Sequence, residues 1–192
     1  MYENIKQIGL PEWSEEDQAL AKAVQDEVNS PVEERGLATE LSELGLPVRR
    51  FVSGGSDDIG DISWKLPTIT MRFPSNIPGL QGHHWSNAIS MATPIAHKGG
   101  VAGDKAEAMT LLDFFLKPEL VDASWKYFEE EQGMKQEYIP MVTKDDAPAT
   151  YLNQDIMDEF RPTLEKFYYD ETKYDSYLEQ LGIEYPTIKK DK

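Results

Sequence analysis

Residues 54–100 read GGSDDIGDISWKLPTITMRFPSNIPGLQGHHWSNAISMATPIAHKGG, and they hold all three histidines and two of the four tryptophans of the chain. Inside this stretch the hydropathy period changes to two. Ile69, Met71 and Phe73 alternate with Thr68, Thr70 and Arg72, as the residues of a half-buried strand do. Val48 to Val52, ended by Gly54 and Gly55, reads as a second short strand of the same sheet. Pro74, Pro78, Gly79 and Gly82 then force an irregular loop that ends at His83, and loops held by a rigid scaffold commonly carry function.

Outward from this centre the pattern is helical. Ser14, followed by Glu15, Glu16 and Asp17, forms a capping-box pattern with acids at the positive end of a helix dipole. It predicts a helix over about 14–29, with Leu20, Ala23, Val24 and Val28 as its stripe and Asp26 and Glu27 in water. Residues 30–47 are turn-rich and read as a loop with one short helical turn. A second helix is predicted over 102–116, with Ala106, Met109, Leu112 and Phe115 on its inner face. Pro118 stops it and suits the first turn of a third helix, to about Gln132, with Val121, Trp125 and Phe128 inward and Gly133 as its stop. The tail predicts a helix over 154–168, with Ile156, Met157, Phe160, Leu164 and Phe167 on one face. Pro162 is expected to kink or restart it. A last short helix is predicted near 175–181. The whole reads as one α/β domain with a helical, aromatic-rich tail.

Composition excludes several roles. The 192 residues and 40% apolar content suffice for a sizeable core, while a formal charge of −16 repels phosphate backbones and anionic lipid. Neither nucleic acid nor membrane is therefore an expected partner. With no cysteine there is no disulfide and no thiol nucleophile, which suits a reducing cytoplasm. The first residues lack the basic and apolar regions of a signal peptide, and no run reaches the roughly 20 apolar residues of a membrane span. A cytoplasmic location is expected.

Imidazoles and carboxylates in residues 54–100 are ligand types for zinc or manganese. Each has a plainer alternative. His83 and His84 are consecutive and point apart in an extended chain, so at most one of them meets a given ion. Asp57, Asp58 and Asp61 lie in a turn where carboxylates commonly bind their own backbone amides. His97, before Lys98 and two glycines, caps a helix, sits at a pocket mouth or is simply solvated. No GxGxxG, P-loop, GxSxG or HExxH motif occurs.

Three ordered segments carry a family resemblance. Gly55, Ser56, Asp58, Gly60, Asp61, Ser63 and Trp64 match a Gly-Ser-Thr-Asp-Val-Gly-Asp-Val-Ser-Trp pattern, with Asp57 for Thr and Ile59 and Ile62 for Val. His83 and Trp85 match His-Ser/Thr-Trp, with His84 at the Ser/Thr position, and Ala96, His97, Lys98 and Gly99 match Ala-His-Lys-Gly. In these motifs the chain resembles the p-aminobenzoyl-glutamate hydrolase group of the metal-dependent amidohydrolases and metallopeptidases, which include aminoacylases and glutamate carboxypeptidases.

The resemblance covers roughly residues 1–150. It implies the C-terminal portion of a three-layer catalytic domain, a mixed sheet flanked by helices, with residues 151–192 as a helical tail packed on it. It further implies His83 as a metal ligand, Asp58 and Asp61 ordering the loop around it, and His97 and Lys98 meeting a substrate carboxylate. The complete enzyme would hold Mn or Zn and cleave the amide bond of an acyl- or aroyl-amino acid. Family members carry their Glu general base, most metal ligands and a lid in an N-terminal half that has no counterpart here. The chain is thus expected to contain no catalytic residue of its own, to be inactive alone, and to need the missing half or a separate partner polypeptide. A homo-oligomer is expected as well. The alternative function is a non-catalytic interaction or small-molecule-binding module built on the same fold.

Overall fold

The computed structural model of the protein describes residues 1–45, 57–132 and 137–188. Its elements are α1 (Tyr2–Ile8), α2 (Glu15–Glu27), α3 (Ile59–Ser63), α4 (Trp85–Met91), α5 (Pro94–Leu116) and α6 (Pro118–Tyr127), which runs into a π-helical turn at Phe128–Gln132. A 3-10 turn at Thr150–Asn153 then leads into α7 (Gln154–Leu164), a 3-10 turn at Glu165–Phe167 and α8 (Tyr177–Gln180). The chain divides into two compact units, Met1–Lys135 with Tyr185–Lys192, and Gln136–Glu184.

The expected mixed sheet is absent: no strand forms among the described residues. Residues 68–73 run without a ladder, and the companion strand read at Val48–Val52 lies outside the described residues, as do Gly54, Gly55 and Gly133. Alternation at period two marks a chain extended against one surface. A sheet also needs a second strand about 4.8 Å away to take the N–H and C=O groups. Here the surface is a helix. Phe73 and Met71 pack toward Gly103 of α5, where an added Cβ would lie 3.2 Å from Phe73 Cβ and 3.9 Å from Met71 Cε.

In the first unit the core is small. Leu20, Ala21 and Val24 of α2 meet Leu37, Ile77 and Ile95, with Trp13, Leu80 and Tyr185 packed around them. Two glutamines on α2 bind the flanking loops, so that residues 30–45 are held without regular structure. Gln18 exchanges a pair of hydrogen bonds with the Leu37 backbone, its Oε1 accepting at 2.8 Å and its Nε2 donating at 3.0 Å. Gln25, fully buried, accepts from Gly36 N at 2.6 Å and donates to Pro78 O at 3.0 Å. Gly36 sits at φ 108°, a conformation that favours glycine.

Helix α5 begins eight residues before its predicted start, because Thr93 and Pro94 provide an N-cap and an N1 proline. The Ala-His-Lys-Gly segment therefore lies in its first two turns. Its buried face is Ile95, Gly99, Ala102, Gly103, Ala106 and Thr110. Only Ala106 of the predicted inner face is buried, while Leu112 and Phe115 are exposed. Small residues let neighbours approach the helix backbone, and polar ones bond across: Asn4 of α1 donates to Thr110 Oγ1 at 3.2 Å and to Asp113 Oδ2 at 2.9 Å. Helix α6 follows after Lys117, with Phe128 buried and its ring nearly perpendicular to that of Trp125, 5.7 Å between centroids. Val121 and Trp125, predicted inward, are instead partly open and line a cavity of about 660 Å³ with residues 66–69.

In the second unit α7 keeps Ile156, Phe160 and Leu164 at four-residue steps. Pro162 does not end the helix, which runs two residues further before tightening to 3-10 geometry at Glu165. Ser176 caps α8 by accepting from Glu179 N at 3.1 Å, and Tyr169 meets Tyr177 edge-on at 6.3 Å.

The two adjacent glycines of α5 make the packing testable. A Cβ on Gly99 would run into the Pro74 carbonyl and Ser75 Cα, whereas one on Gly100 meets nothing within 4 Å. Gly99→Ala is expected to lose about 1–3 kcal/mol by overpacking. Gly100→Ala is expected to gain about 0.5–1 kcal/mol from helix propensity. Urea unfolding of both variants checks the contrast, and equal effects would refute the close approach.

Candidate functional site

The loop ending at His83 delivers two histidines to different surroundings. His83 is exposed and held at φ 57°, a left-handed conformation uncommon for a residue with a side chain. His84 is extended and caps α4: its Nδ1 accepts from Ser86 N at 3.4 Å and lies 2.8 Å from Ser86 Oγ. Its ring also leans on Trp85, 5.0 Å between centroids. Ser and Thr are ordinary N-cap residues, and here the imidazole does that local work. The two neighbours differ in backbone conformation, His83 left-handed and His84 extended.

Behind this turn lies a polar brace. Asn76 donates to Asn87 Oδ1 at 2.9 Å and accepts from the Ser90 hydroxyl, Asn87 donates to Gln81 O at 2.6 Å, and Thr93 Oγ1 donates to Ser90 O at 2.6 Å. These bonds tie the 74–82 loop to α4 and α4 to the start of α5. His97, one turn into α5, is exposed.

Lys98 is engaged. Its Nζ lies 2.5 Å from Asp17 Oδ2, and Tyr185 donates its hydroxyl to Asp17 Oδ1 at 2.8 Å. The Asp17 carboxylate also accepts from Ser14 N at 2.9 Å, completing the capping box, whose other half is Asp17 N donating to Ser14 Oγ at 3.2 Å. Asp17 is fully buried, yet the Lys98 side chain retains 34% of its exposure. Burial pushes the Asp17 carboxyl up, but Lys98, the Ser14 amide and the Tyr185 hydroxyl together outweigh it and hold the group below its ordinary range. Burial first, and then the Asp17 carboxylate, push the Tyr185 phenol well above its ordinary value. Sequence reasoning places Asp17 only as a capping acid and does not single out Tyr185. Their 168-residue separation leaves no local signal.

Asp58 and Asp61 belong to the exposed start of helix α3, Asp58 as its N-cap residue and Asp61 in its first turn. Asp57 makes the Asx-type bond there, accepting from Ile59 N at 3.0 Å. Among the described residues no three His, Asp or Glu side chains converge as a metal-binding group, so Asp58, Asp61 and His83 do not form such a cluster. No helix among the described residues is long and apolar enough to cross a membrane.

Over 170 aligned residues the chain is 29% identical to the B subunit of p-aminobenzoyl-glutamate hydrolase from Escherichia coli (strain K12). It is similar to that hydrolase component. The match takes in 78% of this chain and 35% of the relative, so the chain spans about a third of the relative's length. No protein-family profile matches the chain, and no solved structure matches it.

The Asp17 cluster predicts a pH dependence. A carboxyl whose folded pKa is depressed adds stability above its unfolded pKa, near 3.9, and that stability is lost as pH falls through the folded value. Asp17→Asn is therefore expected to unfold at lower urea than the parent at pH 7, with the gap closing below about pH 4. Tyr185→Phe is expected to lose about 1.5 kcal/mol, the scale of a hydrogen bond to a charged group. Urea melts across pH 2.5–7 measure both, and an Asp17→Asn gap that persists undiminished at pH 2.5 would contradict the assignment.

Proposed function

We propose that this chain is part of a hydrolase that cleaves the amide bond of an acyl- or aroyl-amino acid such as p-aminobenzoyl-glutamate, and that it works only with a complementary polypeptide. The carrying observation is the 29% identity to the E. coli hydrolase component over 78% of the chain. It is supported by the ordered motifs at 55–64, 83–85 and 96–99.

The residues present do not by themselves fit the Mn or Zn of a complete enzyme. Catalytic zinc takes three protein ligands, and among the described residues no three candidate side chains converge. In the proposal His83 adds one ligand to a set whose other members, together with the general base, come from the complementary part. Asp58 and Asp61 order the loop around that set. His97 and Lys98 face the carboxylate of the substrate's amino-acid half. An ammonium has three donors, and the bond from Lys98 to Asp17 leaves the others for a ligand. Asp17 and Tyr185 then act as positioning residues, holding the Lys98 ammonium in place.

The isolated chain is expected to release no glutamate from p-aminobenzoyl-glutamate, with or without added Mn or Zn. Joined with the portion of the E. coli relative that lies outside the match, it is expected to do so. His83→Ala is expected to abolish that turnover, whereas His84→Ser, which keeps a helix cap, retains most of it. Metal-dependent turnover by the chain alone would sink the proposal, and equal losses in the two variants would remove the case for His83.

A further inference from the structure

Helix α5 is apolar on two sides. Its small-residue face is covered by α1, by α4 and by the 71–75 segment. Around the helix from it, Val101, Ala108, Leu112 and Phe115 recur at seven-, four- and three-residue steps, and Val101, Leu112 and Phe115 are 54%, 57% and 83% exposed. Asp104, Lys105 and Glu107 are exposed on the same helix, and an apolar stripe rimmed by such polar residues is a second face available for packing. Exposed apolar residues aligned in one stripe mark a surface built to be covered.

We infer that the Val101–Leu112–Phe115 stripe is the docking face for the complementary part of the hydrolase polypeptide, corresponding to the portion the E. coli relative has beyond this match. The inference rests on the proposed hydrolase reading. Two observations select that occupant. The relative has almost two-thirds of its length outside the match, which is enough chain to form a second layer. A second copy of this chain brings a charge of −16 against −16, so like-charge repulsion opposes pairing through this face. The occupant presents an apolar surface with a less acidic rim.

The absence of cysteine allows a direct test. Single variants Leu112→Cys, Phe115→Cys and the buried control Ala106→Cys are prepared in the full chain and labelled with a maleimide. Labelling is carried out on the chain alone and on the chain co-expressed with the unmatched portion of the E. coli relative. In the chain alone the 112 and 115 thiols are expected to label fast and the 106 thiol slowly. Co-purification with the E. coli portion is expected, with labelling at 112 and 115 slowed roughly tenfold or more. Leu112→Gln with Phe115→Gln is expected to leave the melting of the chain alone unchanged and to abolish co-purification.

Protection of 112 and 115 in the chain alone overturns the inference, because the face is then covered within the chain or by a second copy. Failure of the parent chain to co-purify overturns it too. Co-purification with protection but without hydrolysis upholds the docking face and removes the hydrolase reading. Hydrolysis with fast labelling at 112 and 115 upholds the hydrolase reading and removes the docking face.

Discussion

The first unit is organised around one buried carboxylate. Asp17 carries a charge out of water, and the bonds that offset this come from different parts of the chain: the Ser14 amide, the Lys98 ammonium and the Tyr185 hydroxyl. A buried charge left without partners is costly, so the start of α2, the second turn of α5 and the 185–188 segment are constrained together. The pairing sets the place of Lys98, and with it the rotation of the first turns of α5. His97, the neighbour of Lys98, is thereby held outward.

Close approach is the second constraint, and it depends on what is missing from side chains. Gly99 and Gly103, four residues apart on α5, let the 71–75 segment lie against the helix backbone. Met71 and Phe73 face the helix while Arg72 between them is exposed, so the alternation over 71–73 is satisfied without a sheet, whereas Ile69 stays open. Apart from Ile95, the buried face of α5 uses small residues, while Leu112, Phe115 and Leu116 are exposed on other faces. Helix α5 thus serves as a spine, with α1 and α4 on one side and an apolar stripe left on another.

Local features of the site are readable from residues alone. The Ser14–Asp17 capping box and the N1 proline of α6 both follow from interactions within four residues. The true start of α5 is hidden because Gly99 and Gly100 look like a loop when read by propensity. The tertiary role of Gly99 is to admit a neighbouring backbone. The assignment of Leu112 and Phe115 to the core fails for a related reason: periodicity identifies an apolar face, but which of two faces is covered depends on what packs there.

Most of the helices, the capping box of α2, the N1 proline of α6, the loop that ends at His83 and the motifs that resemble a hydrolase family are legible in the residues, because these rest on short-range chemistry. Packing alone sets Met71 and Phe73 on a helix, gives Gln18 and Gln25 the loops to hold, and brings Lys98 and Tyr185 to Asp17. Those contacts join residues from 11 to 168 positions apart. Nothing in the local period or propensity of either partner encodes such a pairing, which arises when burial forces a polar group to find partners among whatever the fold brings within reach.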